Sequence, residues 1–372
     1  MSTNPLLGPN RLKLATFGTN VEGGIALTSA PERLRADWPT SLDVARVADA
    51  AGFEAIIPVA RWVGYAPGSY YCRETLETYT WAAALAATTR YSAIVSTSHV
   101  TLNHPIVAAK QAATIDHISG GRFALNLVCG WHEGESRMFG LEHLEHDRRY
   151  DYATEWLAVA GGLWEADEPF DFRGDFFDFQ GLLISPKATQ THVPVFNAGF
   201  SPTGSRWAAE HADVLFVPPP DMSADGARRI VENAKANAEG FERDVQVWVP
   251  CYVACRDTEE QALAHVDYYA REHMDTATVD MLLGSGTSVS DHANAEAQTA
   301  RVRMAAGLAG FPLVGTPEQI VERMIGLSEA GVDGITVSWL DFPGELRAFV
   351  ENVLPLMEEA GLREPFPALV GA

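Results

Sequence analysis

The feature that most constrains the fold of this chain is a regular alternation of strand-like and helix-like segments along nearly its whole length. Short apolar runs, typical of buried strands, are separated by longer amphipathic segments with helical periodicity. The strand-like runs lie at residues 12–18, 55–60, 92–98, 123–129, 193–198, 213–218, 245–254 and 334–340. Strands that are each followed by a helix predict an α/β fold, and eight of them predict a closed (β/α)8 TIM barrel. A doubly wound open sheet is the alternative.

Two segments interrupt this alternation, so we predict one barrel domain over residues 1–372 with two insertions. Apolar and polar residues alternate over 170–181 around the turn Arg173-Gly174-Asp175, which predicts a hairpin insertion at about 165–188. Small and polar residues dominate about 275–313 and predict a mobile, lid-like insertion. Regular structure is expected to resume at Thr316, because a threonine cap, a proline and the capping-box partner Gln319 predict a helix start.

Charge and cysteine content narrow the classes of partner and the compartment. The chain has 27 basic and 49 acidic residues and a formal charge of −22, which argues against nucleic acid and anionic membranes as partners. The N-terminus lacks a signal-peptide pattern, and no apolar run reaches the ~18 residues of a membrane span. Cys72, Cys129, Cys251 and Cys255 lack disulfide-framework spacing, which predicts reduced thiols and a cytoplasmic protein.

Polar residues concentrate directly after the predicted strands. In a TIM barrel the carboxyl-terminal ends of all strands meet at one rim, and ligands bind there. The polar positions that follow a strand are Asn20, Arg61, Trp62, 96–99, 126–135 and 197–201. We therefore expect the site at this rim, with the third, fourth and fifth strands as its main contributors.

A phosphate site is predicted where the fifth strand runs into a helix. The turn at Gly199 leads to Ser201 at the helix start, where free backbone N–H groups and the helix dipole favour an anion. Arg149 offers a planar donor fork suited to phosphate. The alternatives are that Ser201 only caps the helix and that Arg149 pairs with Asp147 or Asp151 at the surface.

Other site types have weak sequence support. His143 and His146 lack the helix-face spacing of a zinc site, so a solvated loop is the better interpretation and no metal is predicted. A barrel metal hydrolase stays an alternative that only scattered histidines favour. The chain contains no G-x-S-x-G elbow, no G-x-G-x-x-G and no G-x-x-x-x-G-K-[ST] motif.

Three motifs in this order resemble those of a known family: FALNLVCGWHEGE (123–135), EHDRRYDYATEW (145–156) and VPVFNAGFS (193–201). The chain resembles the bacterial-luciferase-like flavin monooxygenases, and most resembles the pyrimidine oxygenases of uracil breakdown and the dimethyl-sulfone monooxygenases. The similarity runs from about residue 12 to about residue 360 and is weakest over 220–313.

The resemblance implies a luciferase-like barrel that binds reduced FMN (FMNH2) supplied by a separate NAD(P)H:flavin reductase. Dioxygen then reacts with the reduced flavin, and one oxygen atom passes to a small organic substrate such as a sulfone, a sulfonate or a nitrogen heterocycle. A homodimer or homotetramer is expected. The alternatives are a deazaflavin (F420)-dependent oxidoreductase that makes no use of oxygen, and a flavin carrier without catalysis.

The resemblance also implies roles for individual residues. The predicted cofactor-binding residues are Ala60 and Arg61 beside the flavin ring, Asn126 and Glu135 in contact with the flavin, and Arg149, Tyr150 and Ser201 at the phosphate. The predicted catalytic residues are Thr97, Asn126 and Trp131, which form the oxygen pocket. In this hypothesis Thr97 and Asn126 donate hydrogen bonds to the reacting oxygen, and Trp131 excludes water. Arg61 replaces a lysine of the pyrimidine oxygenases and Cys129 replaces a threonine or serine, which argues against uracil itself as substrate.

Overall fold

The computed structural model of this protein describes residues 4–284 and 295–367. Its strands are β1 (Lys13–Phe17), β2 (Ala55–Ile57), β3 (Ala93–His99), β4 (Phe123–Val128), β5 (Phe170–Arg173), β6 (Asp178–Leu182), β7 (Val195–Asn197), β8 (Val214–Phe216), β9 (Gln246–Cys255), β10 (Phe311–Gly315) and β11 (Gly334–Ser338). Eight of them pair in parallel as β1-β2-β3-β4-β7-β8-β9-β11, and β11 returns to β1. The prediction of a (β/α)8 barrel is confirmed, and these are the eight predicted strands.

Helices surround the barrel and cover its outer face. They are α1 (Trp38–Ala50), α2 (Thr78–Ala86), α3 (Pro105–Ser119), α4 (Glu133–Met138), α5 (His146–Glu165), α6 (Pro202–His211), α7 (Ala224–Glu239), α8 (Glu259–Asp267), α9 (Thr276–Leu283), α10 (Ala295–Gly307), α11 (Pro317–Glu329), α12 (Phe342–Asn352) and α13 (Leu354–Glu359). Thr316 and Gln319 form the predicted capping box at the start of α11. Within the described ranges, no helix combines the length and apolarity needed to cross a bilayer.

Side chains of complementary size fill the interior of the barrel. The inward positions of β1 and β2 carry the small residues Ala15 and Ala55, whereas β7, β8 and β9 carry Phe196, Phe216 and Trp248. The rings of Phe196 and Trp248 meet edge to face with centroids 5.6 Å apart. Small residues on one side and aromatic rings on the other pack against each other in the barrel interior.

The segment 275–313 differs from the irregular insertion that its composition predicts. It contains α9, α10 and β10 among the described residues, whereas residues 285–294 lie outside the described part. β10 pairs in parallel with the carboxyl-terminal half of β9, from Phe311 opposite Cys251 to Gly315 opposite Cys255. The sequence of α10 is rich in Ala, Glu, Gln and Arg. These residues are strong helix formers, so the segment forms a helix although its residues are mostly small or polar. The lid-like role of this segment stays a prediction.

β5 and β6 form a two-stranded antiparallel sheet within the stretch whose alternation predicts a hairpin. A single carboxylate fixes the turn to helix α5. Glu155 accepts hydrogen bonds from the backbone N–H groups of Asp175 (2.7 Å), Phe176 (3.0 Å) and Phe177 (3.2 Å). Three charge-assisted bonds to one side chain therefore hold the turn on α5, next to the ring contacts of Phe176 and Phe177 with Tyr152.

We expect Glu155→Ala to release this turn, since three backbone donors lose their acceptor at once. The free energy of unfolding should fall by about 1–3 kcal/mol, and the amides of residues 175–177 should exchange faster with solvent. Hydrogen–deuterium exchange with mass spectrometry measures the local effect. Glu168→Ala removes an exposed carboxylate nearby and serves as the control. Equal exchange of the turn amides in both variants would contradict the role given to Glu155.

Candidate active site

A cavity of about 620 Å³ opens at the carboxyl-terminal rim of the barrel. This volume is typical of small-molecule sites, which span about 300–1,000 Å³. Its wall is formed by residues that follow β2, β3, β4 and β7, together with apolar side chains from α9 and α10. The site therefore lies where the barrel fold predicts it.

Eight of the nine residues predicted for the site line this one cavity. They are Ala60, Arg61, Thr97, Asn126, Trp131, Arg149, Tyr150 and Ser201. Glu135 is the exception, because its carboxylate contacts Arg61 from behind the wall. The individual roles of these residues remain predictions, but their convergence on one cavity is a structural observation.

Thr97 and Asn126 lie side by side on β3 and β4. The Thr97 hydroxyl donates to the Pro58 carbonyl (2.7 Å) and accepts from Asn126 Nδ2 (3.1 Å). Because a carbonyl oxygen can only accept, this chain of bonds fixes the direction of the amide. Asn126 Oδ1 is then buried without a hydrogen-bond partner among the described residues. The hydroxyl proton of Thr97 is thus committed to Pro58, which differs from the predicted donor role and leaves Asn126 as the polar group that faces a ligand.

A buried cluster forms the wall next to β2, and we refer to Arg61, Glu135, Tyr65 and Trp131 together as the Arg61 cluster. Arg61 Nη1 donates to Glu135 Oε2 (2.8 Å) and Nε donates to the Tyr65 hydroxyl (2.7 Å). The guanidinium carbon lies 4.8 Å from the ring centroid of Tyr65 and 5.0 Å from that of Trp131. Burial raises the pKa of Tyr65 to about 12, so its phenol is neutral at physiological pH.

The local sequence after β4 explains how Glu135 reaches Arg61. His132 caps α4 by accepting a hydrogen bond from the backbone N–H of Glu135 (3.2 Å), and this short helix turns the carboxylate back toward the barrel. Glu135 Oε1 also accepts from the backbone N–H of Trp62 (2.8 Å). The polar residues that follow the buried strand β4 thus anchor the loop after β2.

His99 lies at the end of β3, beside this cluster. Its Nδ1 is 3.5 Å from Glu135 Oε2, and its side chain is buried. Burial lowers the pKa of His99 to about 3, and the nearby Arg61 and His132 add to the effect. The imidazole is therefore neutral at neutral pH, and Arg61 is the cation that faces Glu135.

The predicted phosphate site lies at the end of the cavity where β7 meets α6, and we call this part the phosphate end. Ser201 caps α6, since its hydroxyl accepts a hydrogen bond from the Gly204 backbone N–H (3.0 Å). Gly199 and Gly204 approach so closely that a Cβ on either would lie 2.9 Å from the Cα of the other. The Tyr150 hydroxyl lies against Gly204 in the space that a side chain there would fill. Glycine is required at both positions, and the resulting concave backbone at a helix N-terminus is suited to an anion.

Arg149 completes this end of the cavity and is not used by the surface pairs considered as alternatives. Asp147 instead accepts from the Thr203 hydroxyl (2.9 Å), and Asp151 pairs with Arg148 (3.3 Å). One Arg149 amino group donates to the Gly130 carbonyl. Its Nε is buried and has no partner within the described part of the chain. An unpaired guanidinium donor in a cavity wall points to an anionic ligand.

The comparison with protein families decides the assignment. The model for the luciferase-like monooxygenases matches residues 16–334. The chain belongs to this family. An FMNH2-dependent dimethylsulfone monooxygenase of Pseudomonas putida is 32% identical over 359 residues, which is 94% of this chain and 96% of that protein. A pyrimidine monooxygenase RutA of Allorhizobium ampelinum is 32% identical over 323 residues, 84% of this chain and 87% of that protein.

A solved structure supports the same architecture. The crystal structure of DmoA from Hyphomicrobium sulfonivorans superposes with a TM-score of 0.83 over 97% of this chain and 91% of the other, at 23% sequence identity. At this level of identity the superposition establishes the fold only. The predicted resemblance to the luciferase-like family is confirmed by the family match.

Several residues that line the cavity of this luciferase-like protein were not predicted from its sequence. They are Tyr65 and Tyr71 from the loop after β2, Leu282 from α9, and Met304 and Leu308 from the end of α10. The two tyrosines gave a weak signal, because aromatic rings in a long rim loop are unusual unless they pack on a ligand or on one another. The three aliphatic residues gave none, since their positions depend on how distant helices fold over the barrel.

Two further findings bear on the chemistry of the site. The four cysteines are unpaired, and burial raises the pKa of the Cys129 thiol in the cavity wall to about 12, so it is not a thiolate nucleophile. Across residues 4–284 and 295–367, no group of three or more His, Cys, Asp or Glu side chains is placed to hold a metal ion.

The lowered pKa of His99 predicts a pH dependence of stability. The folded protein resists protonation of this imidazole until about pH 3, whereas the unfolded chain takes up the proton near its ordinary value of 6.5. Stability contributed by neutral His99 is therefore complete above pH 6.5 and is lost as the pH falls toward 3, at about 1.4 kcal/mol per pH unit. We expect His99→Asn to lose less stability than the wild type between pH 7 and pH 4.5 in urea unfolding.

The matched control is His117→Asn on α3, which replaces an exposed histidine. It should follow the wild-type pH dependence. If His99→Asn and the wild type lose the same free energy of unfolding over this range, His99 is not held neutral in the folded state.

Proposed function

We propose that this protein is the oxygenase component of a two-component flavin monooxygenase, which uses FMNH2 and O2 to oxygenate a small organic molecule. The observation that carries the proposal is a single cavity with an unpaired Asn126 Oδ1 in one part of its wall and an unpaired Arg149 Nε beside a glycine cradle in another. The names of the relatives that are 32% identical over most of the chain support the same cofactor class.

The residues present fit FMN. Arg149, the Tyr150 hydroxyl and the backbone at Gly199 and Ser201 would hold its phosphate, because they combine a cation with a helix N-terminus. The Asn126 amide would meet the polar edge of the flavin ring, which has N–H groups to donate to Oδ1. When bound, reduced FMN supplies two electrons and the reactivity with O2 that protein side chains lack.

The protein orients the reactants and excludes water. Trp131 and Tyr65 stack with ring centroids 5.9 Å apart and form an apolar wall. Leu282, Met304 and Leu308 cover the cavity from α9 and α10. A cavity that excludes water protects reactive groups inside it from hydrolysis and from unwanted protonation. One hydrogen of Asn126 Nδ2 is bonded to Thr97, and the second is available to donate a hydrogen bond to a reacting oxygen atom.

The overall reaction balances with one substrate, one FMNH2 and one O2 giving an oxygenated product, FMN and water. FMNH2 must be made elsewhere, and the sequence lacks a G-x-G-x-x-G dinucleotide motif. We therefore infer a separate NAD(P)H:flavin reductase as partner. Sulfones, sulfonates and nitrogen heterocycles are the substrate classes proposed, and the relatives named for dimethylsulfone and pyrimidines support two of them. A homodimer or homotetramer stays a prediction.

Arg149→Ala should weaken the binding of FMN, because the variant loses a charged hydrogen bond to the phosphate. The expected loss is about 1.5–3 kcal/mol, which is roughly 10- to 150-fold in Kd. Quenching of flavin fluorescence during titration measures it. Arg148→Ala is the control at the neighbouring position, since Arg148 faces Asp151 on the surface. An unchanged Kd in Arg149→Ala would remove this residue from the phosphate site.

A panel of sulfones, sulfonates and nitrogen heterocycles, incubated with flavin reductase, NADH and ¹⁸O₂, tests the reaction class. We expect mass spectrometry to find one ¹⁸O atom in the product of at least one compound. Asn126→Ala should lower the rate by about 10²-fold, the typical cost of losing one aimed donor. If no product carries ¹⁸O, while F420 is reduced by a substrate alcohol, the deazaflavin alternative replaces this proposal.

A further inference from the structure

We infer that the Arg61 cluster selects a neutral, oxygen-bearing substrate, such as a sulfone, over an anion of the same shape, such as a sulfonate. This inference rests on the proposed function and narrows its substrate class. It concerns the end of the cavity beside β2, away from the glycine cradle at the start of α6.

The ion pair formed by Arg61 and Glu135 has no net charge with which to attract an anion. Its side chain is 5% exposed and the Glu135 side chain is 2% exposed, so water screens neither charge, and the two lie 2.8 Å apart. His99 next to them is neutral, as its lowered pKa shows. Within the described chain, the other arginine that lines the cavity is Arg149, at the phosphate end. An anion beside Arg61 would lose its hydration and meet a pair that is already neutral.

The same wall nevertheless has hydrogen-bond donors to spare. Arg61 Nε donates to Tyr65 and Nη1 to Glu135, and no residue of the described ranges accepts from Nη2. The Tyr71 hydroxyl is fully buried in the cavity wall and has no nitrogen or oxygen partner in the part of the chain described; the Cys72 thiol beside it is only a weak acceptor. Tyr71 stacks on Tyr65 with ring centroids 5.5 Å apart, which places both unpaired donors in one wall.

These donors match a ligand whose oxygen atoms accept hydrogen bonds but carry no full charge. Sulfone and amide oxygens do this, and the aromatic faces of Tyr65 and Trp131 suit the apolar remainder of such a molecule. A purely structural role for the cluster accounts for the bond from the Trp62 backbone N–H to Glu135. It does not account for the Tyr71 hydroxyl, a buried polar group to which the described chain offers no nitrogen or oxygen acceptor, and such groups are rare in folded proteins.

The test compares near-isosteric pairs on the FMN-loaded enzyme: dimethyl sulfone with methanesulfonate, and methyl phenyl sulfone with benzenesulfonate. Isothermal titration calorimetry should show the wild type binding the sulfone of at least one pair about tenfold or more tightly than the sulfonate. Glu135→Gln keeps the shape of the side chain and removes its charge, so Arg61 gains a net positive charge. We expect this variant to shift the ratio of the two Kd values about tenfold toward the sulfonate.

Glu54→Gln is the matched control, because Glu54 is a buried carboxylate beside Arg363 at the opposite end of β2. It should leave the ratio unchanged. If Glu135→Gln does not fold, the double variant Arg61→Met/Glu135→Gln leaves no unpaired charge and should bind the sulfone about tenfold more weakly, because the guanidinium donors are gone. The wild-type comparison needs no variant at all.

The outcomes separate this inference from the proposed function. Equal or tighter binding of sulfonates by the wild type, an unchanged ratio in the folded Glu135→Gln variant, an undiminished affinity of the double variant for the sulfone, or no binding of any of the four compounds would overturn the inference. Preference for sulfones without ¹⁸O in any product would support the inference while the proposed function fails. Oxygenation of sulfonates with equal efficiency would support the function and reject the inference.

Discussion

The buried ion pair between Arg61 and Glu135 holds together the cavity wall beside β2, which we propose as the substrate side. Two charges removed from water cost several kcal/mol each, so the pair persists only because each group has further partners. Glu135 receives the Trp62 backbone N–H as well as the guanidinium, and Arg61 also donates to Tyr65. The wall therefore forms as a unit. Loss of one partner leaves the other charged, buried and unpaired.

The two ends of the cavity use different physical means. At α6, recognition relies on backbone geometry, since Gly199 and Gly204 permit a close approach that no side chain would allow. At the Arg61 cluster, side chains supply both the hydrogen-bond donors and the aromatic faces. A cofactor that never changes suits a backbone cradle, whereas a substrate that varies within a family suits a wall of replaceable side chains.

The sequence predicts most of the barrel and the position of its site, for identifiable reasons. The strands are short, apolar and buried on both faces, and the polar residues that follow them must meet at one rim. Asn126 was predicted in this way, and it lies in the cavity wall. The hydrogen bonding of Thr97 could not be predicted from the sequence, because its hydroxyl donates to the carbonyl of Pro58, which follows a different strand. Leu282 and Met304 were missed because only tertiary packing brings α9 and α10 over the rim.

The cavity wall beside β2 is also connected, through one carboxylate, to a helix that lies far away in the sequence. Asp275, which caps α9, accepts hydrogen bonds from the backbone N–H groups of Tyr70 (2.8 Å) and Tyr71 (3.1 Å). The helix that carries Leu282 is thereby fixed to the loop that carries Tyr71. Residue changes in either segment reach the same wall, while the cradle at the start of α6 depends on neither. The wall proposed for the substrate can thus change without a change in the cradle proposed for the flavin phosphate.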